Sequence, residues 1–382
     1  MTSATAPSAL GPVGAGSSTL RLGTRRSALA TTQSEWVAQR LRDLGHTVEL
    51  VEVTTEGDTS TASLTTLGGT GVFAAALRQA LAAGEVDLAV HSLKDLPTTP
   101  EPGLLVAAVP VREDPRDVLV ATDNVTLGEL PTGSVVGTGS PRRVAQLAAL
   151  GLGLEFKDIR GNVDTRIAMV RDGALDAVVL ARAGLSRLGR LDEVGEVLDP
   201  LQVLPAPGQG ALAVECREDD AATIAVVLEL EDPDTRAAVT AERAVLAALE
   251  AGCSAPVGAL AEVVEGDDGP ELSLRAFVGA VDGSFDLRRS LAGPLDQPAA
   301  LGKRLAALLL EDGAGTLVGP STGPQGMGGA GLPATTGQAD APPTEPPNRP
   351  PEPPGATGTS PVAALDRTTD RVHDRHRTER AQ

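Results

Sequence analysis

The chain has 382 residues, a formal net charge of −19, 1% aromatic residues and no tyrosine. That length allows two or three domains with real cores, which so few aromatics leave to Ala, Val and Leu. Strong acidity and the near absence of stacking platforms argue against nucleic acid as a partner, because a duplex would be repelled by most of the surface.

Residues 1–18, rich in Ser, Ala, Gly and Pro, read as a disordered extension. TLRLGT (19–24) reads as a strand. A helix follows from Ser27 to Leu44, with Leu29, Trp36, Val37, Leu41 and Leu44 on one face and Gly45 closing it. VELVEVTT is the next strand, and VFAAALRQALAAG is a helix ended by Gly84. VDLAVHSL reads as a strand buried on both faces and leads into KDLP. A second series begins near residue 117: DVLVAT, SVVGTGS, a helix from Pro141, LEFKDI, a helix from Val163, and DAVVLA. Strands alternating with helices predict an α/β fold, and two series of similar size predict two similar domains with a cleft between them. A long helix over 234–252, ended by Gly252, opens a third unit with hairpin-like strands (ELSLRAFVGAVDG, SFDLRRSLAG) and a helix near 297–312. From residue 314 the chain turns Gly/Pro-rich and then mixed in charge, a composition that cannot bury a core. His373 and His376, in that tail, have no companions for a metal site.

The two cysteines, Cys216 and Cys253, make no disulfide framework, and a reducing, cytoplasmic setting fits them. Cys216, inside the apolar run ALAVEC, reads as a buried thiol. No basic residue precedes Arg21 and no apolar h-region follows it, which argues against a signal peptide. No apolar run approaches the roughly 20 residues that span a bilayer.

The chemistry gathers in polar loops that follow strand-like runs. Arg25, Arg26, Lys94, Arg142, Arg143, Arg160 and Arg166 all lie in or beside such loops. In open α/β sheets ligands bind at the carboxyl ends of strands, and guanidinium forks suit carboxylate or phosphate. In GTGSPRR, Ser140 suits an N-cap and Pro141 the first helical position, so the helix dipole and two guanidinium groups would meet at one anion site. The alternative is a capped helix with solvated arginines. RGNVDTR repeats the device, with Asn162 as cap and Gly161 allowing close backbone approach. HSLKDLP brings His91, Ser92, Lys94 and Asp95 together at a strand end. Asp95 there is either an acid–base group and counter-ion for a developing cation, or an ordinary turn residue. Cys253, between Gly252 and Ser254, is a nucleophile, an attachment point or an incidental loop residue. LGGTGVF lacks the Lys-Ser/Thr of a nucleotide-binding loop and reads as a lid; LPAPGQGAL reads as a crossover or hinge.

Twelve blocks in order carry a wider likeness: LGTRRSALA, TTEGD, GGTGVF, AVHSLKD, REDPRD, VVGTGSPRR, IRGNVDTR, LARAGLSRLG, LPAPGQGAL, ECR, TAERA and GCSAPVG. From about Leu20 to about Leu310 the chain resembles the hydroxymethylbilane synthase, or porphobilinogen deaminase, family. The resemblance implies a monomeric cytoplasmic transferase of tetrapyrrole biosynthesis, with no nucleic-acid or membrane partner. It would condense four porphobilinogen molecules head to tail, release ammonia, and hydrolyse off linear hydroxymethylbilane.

The resemblance also implies two domains like type II periplasmic binding proteins, at 19–112 with 205–230 and at 113–204. A smaller α+β domain would occupy 231–313, followed by a disordered tail at 314–382. A dipyrromethane cofactor would be held by a thioether to Cys253, with Asp95 as the catalytic aspartate. Arg25, Lys94, Arg142, Arg143, Arg160, Arg166 and Arg187 match basic residues that bind acetate and propionate groups, and Ser27, Gln33, Ser92, Thr138 and Ser140 match their polar neighbours. Each pyrrole carries two carboxylates, so a growing chain is a polyanion in need of many guanidinium groups. Glu56, Thr70 and Pro141 depart from residues common in the family. The rival reading is a non-catalytic binder of a small polyanion, which would need neither Asp95 nor Cys253.

Overall fold

The computed structural model describes residues 19–53, 72–251, 255–267 and 269–318. The expected extension, the glycine-rich loop up to Gly71, Glu56, Thr70, Cys253 and the chain after residue 318 lie outside the described residues. Strand β1 (Leu20–Thr24) is buried along nearly its whole length, and Ser27 then starts helix α1 (Ala28–Asp43) by accepting from the Ala30 amide. The face of α1 that packs is Gln33, Ser34, Val37, Ala38 and Leu41. Leu44, expected on that face, lies past the last turn and is 49% exposed.

The first sheet continues with β2 (Val48–Glu52), helix α2 (Val72–Ala82), β3 (Leu88–Ser92) and β4 (Leu104–Ala108). The second sheet holds β5 (Asp117–Ala121), β6 (Val135–Gly137), β7 (Glu155–Lys157), β8 (Ala177–Ala181) and β9 (Glu196–Val197). Helices α3 (Pro141–Ala149), α4 (Val163–Arg171) and α5 (Arg182–Arg187) connect its strands. β10 (Leu212–Arg217) then returns to the first sheet. The orders are β2-β1-β3-β10-β4 and β7-β6-β8-β5-β9. In each sheet the first three strands are parallel, and one antiparallel strand separates the third from the last. The two sheets are therefore built alike; the second is made of consecutive strands, whereas the first is completed by β10, which returns from beyond the second. β4, which the sequence reading did not anticipate, pairs with β10.

After helix α6 (Ala221–Val227) comes the long helix α7 (Pro233–Ala248), capped by Asp232, whose side chain accepts from the Thr235 amide. Gly252 does not end α7. Leu249 caps it, and Glu250, at φ 52°, takes the left-handed position that glycine usually fills. The amides of Glu250 and Ala251 return to the carbonyls of Ala247 and Leu246. Three antiparallel strands follow: β11 (Val257–Gly266), unanticipated, β12 (Gly269–Gly279) and β13 (Asp286–Pro294). Helix α8 (Pro298–Glu311) packs on α7 so closely that a Cβ on Gly302 would stand 2.3 Å from the Ala241 carbonyl oxygen. The core between these helices and the strands is Ala, Val and Leu, among them Ala241, Val245, Leu272, Leu274, Leu301 and Leu305. A tail starting at 314 is too early: Ala314 is fully buried in this core and Gly315–Val318 forms a helical turn, α9.

Between the sheets the chain crosses twice, through 109–116 and through 198–211. The crossings are bonded side by side: Arg112 Nε donates to the Gln209 carbonyl at 2.7 Å, and Gln209 Nε2 to the Pro115 carbonyl at 2.6 Å. Gly210, at φ 88°, lies so near that a Cβ would be 2.3 Å from the Glu113 carbonyl oxygen. Glu242, on α7 and fully buried, ties both crossings to the C-terminal strands. Its carboxylate accepts from Arg112 at 2.6 and 3.0 Å, from the Gly208 amide at 2.6 Å and from the Ala261 amide at 2.9 Å. Removing one partner of such a buried pair costs about 3–5 kcal/mol. Glu242→Ala should lower the unfolding free energy, read from urea denaturation, by that much, Arg112→Ala comparably, and the double variant by less than the sum; additive losses would show that the pair is not one unit.

Candidate active site

The carboxyl end of β3 runs straight into a single 3-10 turn, Leu93–Asp95. Leu93 and Leu96 are buried, which turns Asp95 outward to an exposed position. Asp95 lines a cavity of about 50 Å³ with Arg25, Gln33, His91 and Ser92. Gln33 Nε2 and Ser92 Oγ are 3.1 Å apart, fixing both side chains at the cavity wall. His91 Nε2 lies 3.2 Å from Glu215 Oε2, and Arg78 grips the same carboxylate at 2.9 and 3.0 Å. Burial alone would raise the Glu215 carboxyl; the neighbouring His91 and the hydrogen bonds from Arg78 outweigh it and hold the group below its usual range.

Lys94, half-buried, donates through Nζ to Gln209 Oε1 at 3.2 Å. Lost hydration is the main reason that its ammonium is lowered to about 8; Asp95 and Asp117 oppose the shift, and Arg143 and Arg142 add to it. Lys94 is thus the meeting point of the turn at 93–95 and the start of α3.

At that helix start the structure differs from the expected open anion site. Ser140 stands at the N-cap, but its side chain makes no capping bond; its amide instead donates to Oγ1 of buried Thr138 at 3.2 Å. Arg142 and Arg143 are 3% and 6% exposed, so they are not solvated either. Their guanidinium groups turn inward to Asp117, with Arg142 Nη2 2.8 Å from Oδ2 and Arg143 Nη2 2.7 Å from Oδ1. Arg142 also donates to the Leu204 carbonyl, and Arg143 to that of Val179 at 2.8 Å. Gln209 Nε2 gives Asp117 a third donor at 2.9 Å. Sequence reasoning missed Asp117 and Gln209. The one local signal was an aspartate opening DVLVA, a strand buried at all five positions, where a lone carboxylate demands distant cations.

Asn162 caps α4 as expected, accepting from the Thr165 amide at 2.8 Å. Arg166 on that helix is half-buried; burial lowers its guanidinium first, then Arg143 and Arg160, against Asp158 and Asp95. Arg166 therefore feels both Asp95 from the first sheet and Arg143 from its own. Among the described residues its Nε, like those of Arg142 and Arg143, is buried and has no hydrogen-bond partner, which fits a site that takes an anion. Arg160 is exposed and pairs with Asp158 at 3.1 Å. Arg187 is bound to the Gly210 carbonyl at 2.7 Å, on the second crossing. Ser27 accepts from the Ala30 amide at 3.4 Å.

Comparison with known proteins gives the family. A family model described as the dipyrromethane cofactor binding domain of porphobilinogen deaminase matches residues 20–225, and that enzyme's C-terminal domain matches 236–311. The chain is 60% identical over 304 residues to the porphobilinogen deaminase of Mycobacterium tuberculosis, covering 78% of this chain and 98% of that protein. To that of Mycobacterium marinum it is 58% identical over 313 residues, covering 80% and 99%. Among solved structures it is similar to the methionine-binding protein MetQ, at 14% identity, a TM-score of 0.37 and coverage of 56% and 89%. A putative methionine-binding lipoprotein of Bacillus subtilis stands at 15%, 0.35, 56% and 89%. The strand orders above, rather than these distant likenesses, define the fold. With both family models matched and close relatives covered almost end to end, the chain belongs to the porphobilinogen deaminase family, enzymes that work with a dipyrromethane cofactor in tetrapyrrole biosynthesis.

Proposed function

We propose that the space bounded by Asp95, Lys94 and Arg166 is where porphobilinogen is condensed, with Asp95 as the catalytic group. The observation that carries this reading is one exposed carboxylate within electrostatic reach of Lys94 and Arg166. When ammonia leaves porphobilinogen, the C–N bond breaks, its electron pair departs with nitrogen, and positive charge spreads over the pyrrole. The aminomethyl nitrogen is protonated as it leaves, so that ammonia departs neutral; the Asp95 carboxylate holds negative charge opposite the cation and exchanges a proton with the pyrrole nitrogen as that charge develops. The cofactor, when bound, supplies the carbon nucleophile.

Arg25, Lys94, Arg142, Arg143, Arg160, Arg166 and Arg187 are proposed to hold the acetate and propionate groups. Ser27, Gln33, Ser92, Thr138 and Ser140 would be their polar neighbours. Arg142 and Arg143 would do so as a pair already organised by Asp117. The cofactor anchor is proposed to be Cys253, because the chain's other cysteine is unsuited: Cys216 is fully buried and its thiol is pushed up to about 11, mainly by burial. We further propose division into two sheet domains and a C-terminal domain, and a cytoplasmic monomer that needs no nucleic acid. No helix among the described residues is long and apolar enough to cross a membrane.

Three measurements test this reading. Intact mass of the purified protein should exceed the bare chain by one dipyrromethane, and Cys253→Ser should remove the excess; an active protein of bare mass would overturn the anchor. Asp95→Asn keeps shape and removes charge, and should lower kcat about 100- to 1000-fold in a folded protein; a loss under about threefold would overturn the catalytic role. Lys94 binds carboxylate only while protonated, so KM for porphobilinogen should climb as pH rises through about 8. Lys94→Arg, charged throughout, should lack that climb; an unchanged alkaline limb would remove Lys94 from the binding set.

A further inference from the structure

A turn of three residues has little hold on its own geometry, yet Asp95 sits on one. The main brace comes from α7, more than 130 positions further along the chain. Val239 of α7 packs in one apolar cluster with Leu93 and Leu96. One helical turn later, Arg243 reaches the same segment. Its Nη1 donates to the carbonyls of Leu93 at 3.2 Å and Leu96 at 3.0 Å, and its Nη2 to that of Pro97 at 2.6 Å. These three carbonyls bracket Lys94 and Asp95, and none belongs to either residue. From the other side the Leu93 amide donates to the Ala211 carbonyl at 3.0 Å. The apolar contact at Val239 sets the depth of the turn, and the planar fork at Arg243 sets its rotation, because only one orientation offers all three carbonyls to it.

We propose that Arg243 is a positioning residue for the reaction: from α7 it holds the 93–97 backbone so that the Asp95 carboxylate faces the substrate. The proposal rests on the reading of Asp95 as the catalytic group. Arg243 is not among the residues lining the cavity, and the bonds given above go to the backbone of 93–97. Through those bonds it acts on rate by the placement of Asp95, for which a displacement of about 1 Å costs on the order of 100-fold.

The test is a double-mutant cycle on the cofactor-loaded enzyme, with loading checked by intact mass and folding by circular dichroism at the assay temperature. Arg243→Met keeps the apolar stem and removes the fork; Arg243→Lys keeps charge but offers a point donor in its place. Arg243→Met should lower kcat by about 10- to 100-fold, and Arg243→Lys by less. In the Asp95→Asn background, Arg243→Met should lower kcat by no more than about threefold further, since the carboxylate to be placed is gone. A merely structural role would instead multiply the two losses, and that result overturns the proposal. So does a wild-type kcat for Arg243→Met alongside a slow Asp95→Asn, which leaves the reading of Asp95 intact. A fast Asp95→Asn defeats that reading and this inference together. If the Met variant fails to fold, the same cycle is decided with Arg243→Lys.

Discussion

The buried carboxylate of Asp117 is the interaction on which the site depends. It opens β5, is wholly enclosed, and accepts from Arg142, Arg143 and Gln209. Burial alone would raise its pKa; the two guanidinium charges, with hydrogen bonds from Arg143 and Gln209, hold it well below the usual carboxylate range. A carboxylate lowered in this way contributes stability that is present above its unfolded value of about 3.9 and is lost only as pH falls through the lower folded value. The same contacts fix the start of α3 against the first strand of the second sheet. They also place Gln209 between Asp117 and Lys94, so the Lys94 ammonium has a neutral acceptor and does not collapse onto the buried acid.

A second buried acid does for the frame what Asp117 does for the site. Glu242 joins α7, both crossings between the sheets and the edge of β11 through four donated hydrogen bonds. Every acceptor position is used by a donor from a different part of the chain or by a bidentate guanidinium, which is the condition under which a buried charge is tolerable. α7 thereby becomes more than a lid over the C-terminal strands. Along one face it carries Val239, Glu242 and Arg243, which reach in turn an apolar cluster, the crossings and the turn that bears Asp95. The long-range order of the molecule is concentrated on this helix and on the pair of crossings.

Both arginines of GTGSPRR illustrate a general limit. A helix start with two adjacent guanidinium groups is locally indistinguishable from an open anion site. What separates the cases is whether the fold already brings a carboxylate to the spot. Here it does, from 25 and 26 positions away. Asp117 organises two of the positive charges, while Lys94 and Arg166 lie within electrostatic reach of Asp95 and Arg143.

The sequence by itself determined the alternation of strands and helices, the cap at Asn162, the burial of Cys216, and the ordered blocks that carry the family likeness. These depend on contacts within one turn of helix, on strand periodicity, or on residue identity alone. Only the tertiary structure decided the presence of β4 and β11, the inward turn of Arg142 and Arg143, and the clamps on Glu242 and on the turn of Asp95. It also decided that α7 stops at Ala248 on a left-handed Glu250, and that Ala314 belongs to the core. Most of these rest on a partner tens to more than a hundred residues distant, such as Arg112 and Glu242 at a separation of 130. Local propensity carries no record of which distant group will arrive to satisfy a buried charge or an edge strand.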